Sequence, residues 1–294
     1  MSSNITFGRY SPKDTFIHRL DPRNKIMLLI LLMVAIFLQF SNWSTTLILS
    51  GVLLVFIIVF MIISRISFID LFRSLATMWL LIIILLAAYI FIPMSTYSHI
   101  AFHLGTYPVY WDAFYQAGYI VLRLVMMISL TMILTSTTKP MDLTYAFEWY
   151  MYPLRAIKFP VSEIAMTLSI ALRFIPTLLD ETDRIMKAQA SRGVDFNHGG
   201  FGKRIKAVIS LIIPLFVSAI ERSEELSNAM EARGYDPRGK RTRYRILRFS
   251  WRDLIGFLFG LVIFGAILTF FILDKNMENG FNIIELLFHV NPGF

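Results

Sequence analysis

The sequence contains no cysteine. Disulfides, thiolate metal sites and cysteine nucleophiles are therefore excluded. Charge is scarce as well. Only 16% of the 294 residues are Asp, Glu, Lys or Arg, against about 25% in an ordinary soluble domain. No GxxxxGK[ST] loop occurs, so the chain has no Walker-type cradle for hydrolysing ATP. The charge that is present leans one way, with 28 Lys and Arg against 20 Asp and Glu, a formal +8. What fills the chain instead is apolar: 56% of residues are hydrophobic and the mean hydropathy is +0.62. This is a membrane-protein composition, in which a basic excess sets topology rather than recruiting nucleic acid. The first 25 residues are polar and charged and the first apolar run reads as a span, so no cleavable signal peptide is expected.

Five apolar segments reach or approach the roughly 20 residues that cross a hydrocarbon core: 26–40, 45–63, 74–93, 117–136 and 254–273. The first is short, and Lys25 is expected to snorkel outward at one end while Trp43 sits in the interface at the other. Lys and Arg between the spans alternate by side. The N-terminal tail holds five (Arg9, Lys13, Arg19, Arg23 and Lys25), and the turn 41–44 holds none. The next turn holds Arg65 and Arg73, and the loop 94–116 holds none despite Tyr97, Tyr107, Tyr110 and Trp111. The stretch 137–253 holds nineteen and the C-terminal tail only Lys275. The positive-inside rule then predicts a cytoplasmic N-terminus, a cytoplasmic 137–253 and an extracytoplasmic C-terminus.

The long basic stretch reads as helix. Residues 161–191 and 203–233 both keep a helical apolar stripe, through Ile164, Leu168, Ile175 and Leu178 in one and Ile205, Val208, Ile212 and Phe216 in the other. Pro140 suits the first turn of a shorter helix at about 141–157, and Pro176 and Pro214 are expected to bend the long ones. If 161–180 crossed the membrane, Arg184, Lys187, Arg192, Lys203, Arg204 and Lys206 would all lie outside, against the bias elsewhere. The long helices are therefore expected to lie under or against the membrane, their polar ends in the cytoplasm. The predicted fold is all-α: about five transmembrane helices plus a cytoplasmic domain of long amphipathic helices. Its parts are 1–139 (tail and four spans), 140–249 (cytoplasmic helices) and 250–294 (last span and tail).

Two phrases repeat at an offset of 41, "AQASRGVDF" at 188–196 and "AMEARGYDP" at 229–237. Ala188 falls on Ala229, Arg192 on Arg233, Gly193 on Gly234, Asp195 on Asp236 and, upstream, Asp180 on Glu221. Each phrase ends a helix with a small residue (Ser191 or Ala232), a forked cation and a glycine suited to a left-handed cap, with Pro237 beyond the second. One such arginine would merely complement a helix dipole. The same ending twice, in register, points instead to a shared partner with two equivalent sockets, each offering a carboxylate to a bidentate guanidinium.

Other residues invite chemistry less strongly. His99 and His103 have metal-pair spacing, but no Glu follows the first and only Asp112 is near, so an aromatic-rich interfacial loop explains them better. Arg123 lies within a span, where a charge is expensive and often functional; snorkelling to headgroups is the alternative. The run "PRGKRTRYRILRFSWR" at 237–252 reads as a topology determinant and anionic-lipid contact, worth about 1 kcal/mol per cation. For Asp180, Glu181, Asp183, Glu221, Glu224 and Glu225 the expectation is salt bridges to Arg184, Lys187 and Arg222. No catalytic dyad is visible at membrane depth, and few polar residues (Arg123, Gln39, Thr131 and scattered Ser) could line a path.

The paired Arg-Gly endings on two long cytoplasmic helices, together with "FIHRLDPRNKI" at 16–26, resemble the transmembrane T component of energy-coupling factor transporters. The resemblance extends over essentially the whole chain. It implies a non-catalytic coupling subunit of an ATP-driven vitamin importer in the bacterial cell membrane. The partners implied are two homologous cytoplasmic ATPases, an exchangeable small vitamin-binding S component and membrane lipid, with no nucleic acid. ATP and Mg would sit on the ATPases, leaving this chain without cofactor or metal. The docking residues implied are Ser191, Arg192, Gly193, Ala232, Arg233 and Gly234; Ser191 stands where the family usually has Ala, and is still small. Ala165, Ser169, Ala171, Ser210, Ser218 and Ala219 are candidate contacts for the S component, since small residues permit close helix approach or sliding. The competing reading is a self-contained permease or channel whose residues 161–233 form a regulatory domain.

Overall fold

The structure is a computed structural model that describes residues 13–41, 43–91, 100–104, 107–196, 200–236 and 249–276. The chain divides into two compact units, Met1–Lys139 with Leu247–Phe294, and Pro140–Ile246.

The first unit is a helical bundle. Its elements in order are α1 (Pro22–Phe37), α2 (Trp43–Ile63), α3 (Phe68–Thr77), α4 (Trp79–Phe91), a hairpin of β1 (Ile100–Leu104) and β2 (Tyr107–Tyr110), α5 (Trp111–Thr137) and α9 (Trp251–Asn276). Helix α5 is the hub, touching α1, α2, α3 and α4, while α9 packs along α1. Ala35 and Ile36 of α1, Ile57 and Met61 of α2, Met126 and Leu130 of α5 and Ile267 of α9 meet in one buried cluster. The outward faces are equally apolar: on α2, Val52, Val55, Val59 and Ile62 are exposed. A helix that is hydrophobic all round needs lipid rather than water on its outer side.

Helices α2, α5 and α9 are long and apolar enough to cross a membrane, as is α7 (Val161–Ser191) of the second unit. The expected span at 74–93 is a broken one. It divides at Met78 into α3 and α4, which bend by 64° and together are apolar enough for one crossing. Helix α3 begins on its own cap, where the Ser67 hydroxyl accepts from the Ile69 N–H, and carries Asp70 and Arg73. Helix α4, at 13 residues and so about 20 Å, is too short to span alone. The loop 94–116 is not all irregular: part of it pairs as the β1–β2 hairpin, and α5 begins at Trp111, ahead of the apolar segment 117–136.

Helix α1 has 16 residues, about 24 Å, short of a roughly 30 Å core. Two buried aspartates of α9 show how its segment fits. Asp253 Oδ1 accepts from the Asp21 N–H at 2.6 Å and Asp274 Oδ2 accepts from the Ser41 N–H at 2.7 Å. These staples lie 21 residues apart on α9, or about 31 Å. The residues after Phe37 supply the missing length: Leu38 is extended, with φ −65° and ψ 124°. Because Asp21 pairs with the start of α9 and Ser41 with its end, α1 and α9 run parallel. Between the staples the helices close on Gly256 and Gly260, which adjoin Leu20 and Leu28. A β-carbon at Gly260 would fall inside the Leu28 side chain. This small-x3-small contact is of a kind common between membrane helices.

The second unit comprises α6 (Pro140–Met151), a 3-10 turn at Tyr152–Ile157, α7 and α8 (Phe201–Ala232). Helix α7 packs on both α6 and α8. Pro140 opens α6, and α7 and α8 run on through Pro176 and Pro214 as single helices.

Candidate functional site

Helices α7 and α8 end in the same way, bond for bond. Arg192 is the C-cap of α7 with φ −86° and ψ 7°, and Arg233 that of α8 with φ −89° and ψ 8°. The Gly193 N–H donates to the Ala190 carbonyl at 3.0 Å and the Val194 N–H to Gln189 at 3.1 Å. Forty-one residues on, Gly234 donates to Glu231 at 2.9 Å and Tyr235 to Met230 at 3.0 Å. Both are Schellman motifs, which need a left-handed residue just past the cap. Gly193 and Gly234 supply it, with φ +85° and +73°. A β-carbon at either would meet nothing among the described residues, and it is the left-handed backbone that calls for glycine here.

Two contacts fix how the helices cross. Arg222 Nη2 lies 3.3 Å from Glu181 Oε2, and Gln189 Nε2 donates to the Ser210 carbonyl at 3.4 Å. The contacts step forward on one helix and back on the other, so the pair is antiparallel at the crossing. Glu181 and Arg222 are themselves equivalent at the offset of 41. From 181 to 192 and from 222 to 233 the chain advances eleven residues on each helix, about 16 Å. The two Arg-Gly tips therefore each stand eleven residues past the Glu181–Arg222 pair and on opposite sides of it, while α7 meets α8 again at Gln189, close to its own tip. Arg192 and Arg233 are exposed, and neither guanidinium has an ion-pair or hydrogen-bond partner among the described residues. Each presents a rigid fork of five donors to whatever approaches. Ser191 behaves as the small residue its position needs, because its hydroxyl donates back to the Lys187 carbonyl at 3.0 Å.

Of the six small residues proposed for helix contact, Ala165 is buried inside the unit and Ser210 takes part in the α7–α8 crossing. Ser169, Ser218 and Ala219 are half-buried and Ala171 is exposed. Beside them, α8 presents Ile209, Ile212, Ile213, Phe216 and Val217, all exposed. Among the expected salt bridges, Glu181–Arg222 is present, between the helices rather than along one.

Lys25 does not snorkel. It is 7% exposed, and its Nζ donates to the Thr137 carbonyl at 3.0 Å, the His18 carbonyl at 3.2 Å and Thr138 Oγ1 at 3.4 Å. The ammonium closes the C-terminal end of α5, where orphan carbonyls and the helix dipole both favour a cation. The rest of the "LDPRNK" phrase works alongside it. Asp21 caps α1 by accepting from the Arg23 N–H at 3.0 Å, Pro22 takes the first helical position, and the Asn24 amide donates to the Asp253 carbonyl at 3.3 Å. The motif is thus a polar knot joining α1, α5 and α9. Sequence reasoning passed over Asp253, Asp274 and the Gly256–Gly260 pair; the signal was two lone acids bracketing the last span and a GxxxG within it.

Arg123 is 9% exposed. Its Nη2 donates to the Tyr119 hydroxyl at 3.1 Å, and its guanidinium lies over the Tyr119 and Phe37 rings at 4.9 and 5.5 Å. Burial among aromatic faces, not snorkelling, accommodates it. His99 and most of the basic run at 237–252 lie outside the described residues, as does the side chain of His103. Among the described residues no three His, Asp or Glu side chains gather as a metal site.

Comparison with known proteins agrees with this architecture. Residues 13–244 match the CbiQ family, described as cobalt transport protein. The chain is 44% identical over 253 residues to the energy-coupling factor transporter transmembrane protein EcfT of Brevibacillus brevis, covering 86% of this chain and 93% of that one. It is 40% identical to the Bacillus subtilis protein of the same name, over 92% of this chain and 99% of the other. The Staphylococcus aureus protein is likewise 40% identical, over 87% and 92%. With its polytopic helical bundle and its two matched Arg-Gly helix ends, the chain belongs to the CbiQ family as a transmembrane T component of energy-coupling factor transporters.

Proposed function

We propose that this membrane component is the mechanical coupling subunit of its transporter. Arg192 and Arg233 seat in grooves on two homologous cytoplasmic ATPases, and α7 and α8 hold a small, exchangeable vitamin-binding S component. One observation carries the reading: two helix tips of like sequence and the same cap geometry, each eleven residues past the Glu181–Arg222 pair that joins the helices at equivalent positions, and each with an exposed, unpaired guanidinium among the described residues. A pair of like ATPases offers two like sockets. ATP and Mg belong to those subunits, and this chain supplies levers. When the nucleotide-bound ATPases close, they draw both tips, the crossing transmits the pull, and the apolar face of α8 moves the S component to open its cargo to the cytoplasm.

The orientation follows the charge bias, with the N-terminus and residues 140–249 in the cytoplasm of a bacterial cell and the C-terminus outside. The parallel course of α1 and α9 supports it, since an odd number of crossings makes first and last spans parallel. Helix α7 is apolar enough to cross, but it is the least apolar of the four such helices, and its flanking cations favour a position against the membrane. The docking test is Arg192→Glu with Arg233→Glu. ATP-driven vitamin uptake by the reconstituted complex should be abolished while the isolated S component binds vitamin as before. Uptake that survives both substitutions would remove the docking role.

A further inference from the structure

The end of the bundle that carries the N-terminal segment holds a second polar feature, separate from the Arg-Gly tips. A cavity of about 250 Å³ opens between the N-terminal segment, the α2–α3 turn and α5. Lys13, Ser64, Arg65, Asp70, Arg73 and Ser136 line it. Among the described residues that line it, three cations stand against one carboxylate, a formal +2, with His18 beside them. The first turn of α3, a ten-residue helix, borders it and adds the partial positive charge of a helix N-terminus.

Two further observations mark it as built to receive something. Ser64 is 1% exposed, lines the cavity, and its Oγ has no hydrogen-bond partner among the described residues. A buried hydroxyl is ordinarily paired, and one left unpaired calls for an explanation. The second is Arg65. Helix α2 ends in a third Schellman motif, with the Arg65 N–H donating to Ile62 at 2.9 Å and the Ile66 N–H to Met61 at 3.1 Å. Here the left-handed position, φ +53°, is held by arginine where α7 and α8 have glycine. A side chain costs about 1–2 kcal/mol in that conformation, so a guanidinium stands here at the expense of local stability. Neither it nor the Arg73 guanidinium is paired among the described residues. Lys13 Nζ, 2.7 Å from the Arg65 carbonyl, draws the N-terminal segment over the same turn.

We propose that this cavity binds a phosphate group, with Arg65, Arg73 and Lys13 holding its oxygens and the Ser64 hydroxyl donating to one of them. The group is carried by an anionic phospholipid or supplied as free phosphate. The surroundings suit a lipid: Ile69 and Phe72, on the turns of α3 beside the cavity, are each 70% exposed and offer acyl chains a surface. Basic pockets beside transmembrane helices are a known mode of headgroup recognition.

The experiment is native mass spectrometry of the full-length chain, purified in mild detergent from membranes containing phosphatidylglycerol. Wild type should retain one phosphatidylglycerol through a delipidating wash. Arg65→Gln with Arg73→Gln should weaken retention about 10- to 30-fold, and Ser64→Ala several-fold, whereas Arg19→Gln, on the exposed Arg19–Asp14 pair outside the cavity, should leave it unchanged. In a second arm, lipid-stripped chain is titrated calorimetrically with inorganic phosphate. Saturable binding that the double variant loses, with no retained lipid in wild type, supports the pocket and assigns it to free phosphate. Ser64→Ala removes one unpaired oxygen and so keeps the fold, which makes its result decisive if the arginine variants prove unstable. The proposal is overturned if wild type holds neither ligand, or if Ser64→Ala and the double variant match wild type in both arms.

Discussion

Asp253 offers a sharp test of what fastens the last span to the first. It is 2% exposed, and its two carboxylate oxygens accept from different backbone donors, Oδ1 from Asp21 at 2.6 Å and Oδ2 from Ser250 at 2.7 Å. Replacement by Ala leaves both N–H groups without acceptors. The buried Asp21 N–H is then an orphan at a cost of about 1–3 kcal/mol, whereas Ser250 is exposed and its N–H turns to water; removing a buried carboxylate returns part of its desolvation cost. The net expectation for Asp253→Ala is a loss of about 1–2 kcal/mol. Asn keeps the volume and one acceptor but turns an NH2 toward the other donor, so Asp253→Asn should lose roughly half as much. The assay is reversible unfolding of the purified chain in mixed micelles, followed by tryptophan fluorescence against increasing SDS. Losses below about 0.5 kcal/mol for both variants, the level of an ordinary surface substitution, would refute the staple and mean that water reaches the Asp21 N–H as well.

Three further substitutions probe the other contacts. Gly260→Val should cost about 1–3 kcal/mol by overpacking against Leu28, read in the same SDS titration, while Gly265→Val, with open space around it, should be near neutral. Gly193→Ala and Gly234→Ala should each loosen a helix tip by about 1–2 kcal/mol through the left-handed backbone, seen as faster amide exchange over the last turns of α7 or α8 and not in the first unit. A double-mutant cycle on Glu181→Ala and Arg222→Ala should give a coupling of about 0.2–1 kcal/mol, since the side chains keep 22% and 32% of their exposure. A coupling indistinguishable from zero would show that this ion pair does not help to hold the crossing.

Much of this was legible in the sequence because the forces behind it are local or averaged. Hydrophobic runs report the membrane through composition alone. The Arg-Gly endings report their caps because a Schellman motif depends on four or five consecutive residues and a glycine. The equivalence of the two helix ends was readable for the same reason: a repeat at an offset of 41 needs no tertiary information. The resemblance to a known family was read from those same short phrases.

What only the tertiary structure decided involves residues far apart in the chain. Lys25 is predicted to snorkel because a lone lysine beside a span usually has only water or headgroups to reach. The carbonyl that holds it belongs to Thr137, 112 residues away, and no local pattern announces that pairing. The same is true of Asp253 and Asp274, which staple α1 at ranges of 232 and 233 residues, and of Ser64, whose hydroxyl is remarkable only once its burial is known. Composition and periodicity determine which segments become helices and which faces shun water. Which polar atoms meet between those helices depends on their mutual packing, because a buried hydrogen bond is satisfied by position in space and not by position in sequence.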